Sequence, residues 1–159
     1  MNIESYFKKR LISRIAETEL KRYINFFENS YKENLEHCKA NLEKFPRWSI
    51  ISGYYAMHDL TKLFIVKKFG IKIDFNVHKT TISLLKEITK DKALLKMLKI
   101  GYKEFLEMAN DLAKSRKTRT KAQYYTGSEF MKEKYKEKSK EFLEKTAIPY
   151  INKLEEWIK

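Results

Sequence analysis

The sequence is poor in residues that break or staple a chain: one cysteine, two prolines and four glycines in 159 residues. A single Cys38 excludes an internal disulfide and a cysteine metal cluster. So few Gly and Pro leave little for the tight turns of an all-β protein. No Gly-rich phosphate loop is present, which excludes a P-loop nucleotide hydrolase. His37-Cys38 stands without further ligands at a workable spacing, so no metal is expected, and no cofactor. The most apolar stretch is interrupted by Arg47, His58, Asp59, Lys62, Lys67 and Lys68, so it is no membrane span. The start of the chain is charged and amphipathic, unlike a signal peptide, and a cytoplasmic location is expected. Acid is also short: 21 Asp and Glu stand against 34 Lys and Arg, a formal net charge of +13. That field attracts polyanions. The competing reading is a Lys-rich surface without a ligand.

What is present reads as helix. The length suits one domain over residues 1–159, and 43% hydrophobic residues suffice for a core. Arg47–Gly70 is the central helix, opened by Pro46 and closed by Gly70. Trp48, Ile51, Tyr54, Leu60, Phe64 and Val66 cover most of its circumference, as in the middle of a bundle. Ser49, Ser52 and Gly53 would let a neighbouring backbone approach closely. Residues 3–43 read as helical, with 1–14 either a separate short N-terminal helix or an arm. Ile71–Phe75 is rich in β-branched residues, but a lone strand has no partner, so it is read as a connection. The next helix begins at Asn76 or His78, and Asp91 caps the one after it. Leu94 to Leu112 then forms a long inner stripe. Thr126 and Glu129 make a capping-box pattern, so the last helix restarts near Gly127, and Pro149 is placed to kink it. The expected fold class is all-α, an up-and-down bundle of four to five helices.

Two groups of residues are candidates for function. The first is the basic segment between the last long helices: Arg116, Lys117, Arg119 and Lys121, followed by Tyr124 and Tyr125. Arginines bind phosphate bidentately and tyrosines stack on bases, a combination suited to RNA or a nucleotide. The other reading is a solvated helix end, where cations complement the dipole. The second group is Tyr55, Asp59 and His78, with His58 beside them. It is expected to be a buried polar network that holds helix register, since acid–base catalysis needs a convergence not evident here. No catalytic residue is assigned. Aromatics at 14% exceed what a small core readily absorbs, which points to an apolar dimer face.

Residues 50–57, IISGYYAM, are followed by an apolar helix, a loop with Gly70-Ile71, and the pair His78-Lys79. Further on, Arg119-Thr120-Lys121-Ala122-Gln123-Tyr124 is similar to an Arg-x-x-Ala-Asp-Tyr segment. In this order the motifs resemble the HEPN family of small helical bundles, over residues 15–155. The resemblance implies a HEPN-like bundle, a homodimer, and pairing with a small nucleotidyltransferase in toxin–antitoxin modules. Many members are similar to metal-independent ribonucleases whose motif is Arg, four to six residues, then His. None of Arg10, Arg14, Arg22, Arg47, Arg116 and Arg119 has a His at that spacing, so this activity is not carried over. The expected function is a nucleotide- or RNA-binding HEPN-like module in such a toxin–antitoxin pair. The alternatives are a metal-independent endoribonuclease with a non-standard Arg/Tyr site, and a protein-interaction module without a nucleic-acid role.

Overall fold

Pro46 and Gly70 bracket the helix around which the rest of the chain packs. The computed structural model describes residues 3–117 and 129–159, with side chains over 3–111 and 132–159. Helix α3 spans Pro46–Phe69. Pro46 opens it, where the missing N–H would have no intrahelical partner anyway. Gly70 closes it at φ 61°, donating its N–H to the Val66 carbonyl. That left-handed turn suits a residue without Cβ.

Ahead of α3 lie α1 (Ile3–Lys8), β1 (Ile12–Arg14) and α2 (Glu17–Ala40). After it come β2 (Ile71–Ile73), α4 (Val77–Ile88) and α5 (Lys92–Lys117). The chain ends with α6 (Glu129–Phe142) and α7 (Ile148–Ile158). Helix α3 touches α2, α4, α5, α6 and α7, which is why its sequence is apolar nearly all round. The core is Ile50, Tyr54, Met57 and Leu60 of α3 against Leu85 of α4, Leu98 of α5 and Leu154 of α7. Each such burial contributes about 1.5–3 kcal/mol. The result is the all-α bundle expected, with a small β1–β2 ribbon added. No helix among the described residues is long and apolar enough to cross a membrane.

The small residues of α3 do admit a close neighbour. A Cβ on Gly53 would lie 2.8 Å from Cε1 of Phe142 and 2.9 Å from Sγ of Cys38. The Ser49 hydroxyl donates to the Cys38 carbonyl at 2.7 Å. Helices α2 and α6 therefore both close in on one turn of α3.

Two expectations need correction. Residues 3–43 are not helical throughout: α1 is the separate short helix allowed for, but it ends at Lys8, Arg10 turns left-handed at φ 53°, and Ile12–Arg14 is a strand. The Leu11 N–H reaches back to the Tyr6 carbonyl at 3.0 Å, closing the helix end. A non-glycine residue there costs about 1 kcal/mol or more. Nor is Ile71–Phe75 only a connection. Residues 71–73 pair antiparallel with 12–14, Ile12 opposite Ile73 and Arg14 opposite Ile71. The missing partner comes from a segment whose apolar rhythm reads as helix.

Other local features follow their residues. Asp91 Oδ1 accepts the Leu94 N–H at 2.9 Å, capping α5. A π-turn at Leu143–Ala147 joins α6 to α7, with the Ile148 N–H bonded five residues back to the Leu143 carbonyl. The wider turn precedes Pro149, whose ring would crowd an α-helical carbonyl four residues earlier. The restart near Thr126 and Gly127 lies outside the described residues.

Candidate functional site

The polar groups in and against α3 divide into two sets. Asp59 faces α2: its Oδ2 accepts from Ser30 Oγ at 2.7 Å and Asn34 Nδ2 at 3.3 Å. Its Oδ1 accepts from Lys62 Nζ at 3.0 Å. Burial alone would raise its carboxyl, but the Lys62 ammonium and the Ser30 hydroxyl against it hold it down, at about 2. Asp59 is thus a charged pin between two helices. Its neighbour His58 is buried, and its Nε2 meets Thr81 Oγ1 at 3.1 Å. Thr81 donates its one proton to the Val77 carbonyl at 2.7 Å, so the hydroxyl accepts from Nε2–H. Nδ1 of His58 lies 3.7 Å from Asp59 Oδ1, too long for a hydrogen bond. Burial lowers His58 to about 4, against the pull of Asp59, and the ring is neutral at pH 7.

His78 belongs to the second set. Its Nδ1 meets the hydroxyl of Tyr54, not of Tyr55, at 2.9 Å. Tyr55 only touches the His78 ring edge, with centroids 5.9 Å apart. The His58 and His78 rings lie 4.7 Å apart, and Phe105 stacks on Tyr54 at 4.9 Å. Burial raises the Tyr54 phenol far above its ordinary value and lowers His78. Of the three residues grouped from the sequence, Tyr55 and His78 meet, while Asp59 bonds elsewhere. Most of these groups are bonded to protein, while Nδ1 of His58 is buried without a hydrogen-bond partner. Among the described residues no group of three or more His, Cys, Asp and Glu could hold a metal ion.

A different arrangement stands at the α2–α3 turn. Phe45 is 50% exposed and Trp48 49% exposed, so Trp48 is not on the buried circumference expected for it. Lys44 Nζ lies 5.8 Å from the Phe45 ring centroid, and the Arg47 guanidinium 5.1 Å from the Tyr135 ring. Cations over aromatic faces are held by the ring quadrupole. Lys44 and Arg47 make no ion pair among the described residues, whereas Glu43 is taken up by Lys136 and Lys140. Those lysines hold the Glu43 carboxyl below its ordinary range. The turn therefore offers two half-exposed aromatic side chains beside Lys44, which is exposed, and Arg47, which rests on the Tyr135 ring.

Tyr135 connects this turn to α5. Its hydroxyl donates to Asp111 Oδ2 at 2.7 Å, and burial, then Asp111, raises its phenol. Beyond Asp111, α5 continues six residues to Lys117, about 9 Å of helix. Lys114, Arg116 and Lys117 fall on these last turns of α5. The side chains of Arg116 and Lys117, and all of Arg119, Lys121, Tyr124 and Tyr125, lie outside the described residues.

A second basic feature is Lys92, Lys96, Lys99 and Lys103, a row along the exposed side of α5 with Leu95 and Ile100 between them. The steps of four, three and four residues could have revealed it, since they keep one helix face. The aromatic–cation turn had a signal too, in Lys44-Phe45-Pro46-Arg47-Trp48. Compared with protein-family models, curated proteins and solved structures, the chain finds no match.

Proposed function

We propose that the chain is a nucleotide- or RNA-binding module of the HEPN type, reading single-stranded RNA at the α2–α3 turn. The observation that carries this is the pair Phe45 and Trp48, half-exposed on one turn with Lys44 and Arg47 adjacent to them in the chain. Aromatic faces stack on bases without regard to sequence, and flanking cations engage the phosphates. The basic run from Lys114 to Lys121 and the lysine row of α5 add to the chain's positive charge, which favours a polyanion. A HEPN-type reading also brings a homodimer, a nucleotidyltransferase partner, a toxin–antitoxin setting and a cytoplasmic location into the proposal. Without an Arg-x(4–6)-His motif, binding rather than RNA cleavage is the activity proposed.

The test is fluorescence anisotropy with a labelled oligouridylate across a salt series. Phe45→Ala combined with Trp48→Ala should weaken binding by about 1–3 kcal/mol per base unstacked. Lys44→Gln with Arg47→Gln should flatten the slope of log affinity against log salt by about 0.7 for each phosphate no longer neutralised. Absence of binding at low salt, or variants that bind like the parent, would overturn the reading. The second reading is a protein–protein face, because exposed aromatics also suit one. It requires the Phe45/Trp48 variant to lose self-association while RNA affinity stays unchanged.

A further inference from the structure

At the opposite end of α3, the chain builds a groove that the proposed function does not use. It lies between α1 and the β1–β2 ribbon, and its volume is about 1120 Å³. Ligand clefts commonly measure about 300–1,000 Å³, so the space admits a ligand of substantial size. Its floor is apolar: Ile3, Phe7, Ile12, Phe69 and Ile71. Its rim carries Lys8, Arg10 and Arg14, all exposed. These three make no ion pair among the described residues; the Arg14 guanidinium instead stands 5.6 Å from the Phe7 ring. Two acids also line the groove, Glu4 and Asp74, and Asp74 approaches Lys72 at 3.5 Å.

We propose that this groove binds a single amphipathic anion, an apolar chain ending in a phosphate or carboxylate. The floor matches the chain, and the rim matches the head. Arginine suits such a head because its planar fork gives two parallel hydrogen bonds to phosphate or carboxylate. Arg10 adds an independent indication. It occupies the left-handed position that ends α1, where glycine would relax the backbone. A long cation stands there instead, at the groove rim. The site is separate from the α2–α3 turn and does not depend on RNA binding there.

The same geometry supplies a discriminating variant. Arg10→Gly removes the charge while giving the backbone the residue its φ favours, so folding and thermal midpoint should be kept or improved. Calorimetry on the full chain would use dodecyl phosphate below its micelle concentration as probe. Inorganic phosphate would test the head alone, and dodecyl maltoside the chain with an uncharged head. One-site saturation by dodecyl phosphate is expected, with both controls at least about tenfold weaker. Arg10→Gly and Arg14→Gln should each lower its affinity about tenfold, as expected when one charge-assisted hydrogen bond is removed. Anionic vesicles test a bilayer as the source of the head, and light scattering tests a second copy of the chain as the occupant. No saturable binding, affinity unchanged in both variants, binding only to vesicles, or a dimer broken by these substitutions would each overturn the proposal.

Discussion

Two regions of the α2–α3 hairpin reverse the usual placement of residues. Around His58 and Asp59, polar groups are buried; at Phe45 and Trp48, large aromatic groups are exposed. The buried polar groups are mostly bonded to protein: Asp59 to Ser30, Asn34 and Lys62, His58 to Thr81. The exposed aromatics have cations at hand and solvent on one side. Polarity inside is therefore structural here, and apolarity outside is the feature that asks for a ligand.

The sharpest way to break this comparison is Asp59→Ala. It would leave Lys62 and the Ser30 and Asn34 donors without their acceptor, and should cost about 3–5 kcal/mol of stability. Urea denaturation reads that loss, and RNA affinity of the folded fraction should not move. A selective loss of binding at intact stability would mean that the buried network belongs to the site.

Acid probes the same region more gently. His58 is held at about 4 in the folded chain against an ordinary 6.5. The unfolded chain therefore takes up its proton first. The stabilising contribution is complete above pH 6.5 and is lost as the pH falls from there towards 4. At about 1.4 kcal/mol per pH unit, this amounts to about 3 kcal/mol. Asp59 has the same sign in a lower window, present above 3.8 and lost as the pH falls towards 2. Urea midpoints between pH 7 and pH 4.5 should show the decline, and His58→Gln should flatten it. A slope unchanged by that substitution would assign the titration elsewhere.

The smallest expected effect on stability is at the turn. Phe45→Ala with Trp48→Ala should lower it by about 1–3 kcal/mol for the two together, because both side chains are already half in water. A much larger loss in the urea midpoint would make the pair part of the core and remove the contrast.

Much of this was legible in the sequence, and the exceptions have physical reasons. Pro46, Gly70 and Asp91 act locally, so the ends they mark can be read without tertiary knowledge. The β1–β2 ribbon cannot, because Ile12–Arg14 and Ile71–Ile73 become strands only through each other. The break after α1 is hidden because its left-handed residue is Arg10 rather than glycine, and Leu11 and Ile15 continue the apolar rhythm. Tyr54 and Tyr55 are adjacent, about 100° apart on a helix, and composition does not say which one turns to His78. Apolarity alone places Trp48 in the core, although it sits in the first turn of α3, where part of the circumference is open to solvent.

The ribbon also orders events in time. Helices α2 and α3 are neighbours along the chain and can pair after closing a turn of a few residues. Strand β1 meets β2 only once about sixty residues have been closed into a loop, for three pairs of residues in return. Such a pairing forms late, since the entropy of closure must be met before the pairing rewards it. The amino-terminal arm is then expected to dock after the helix pair, and the groove beneath it to be complete only once the arm is in place.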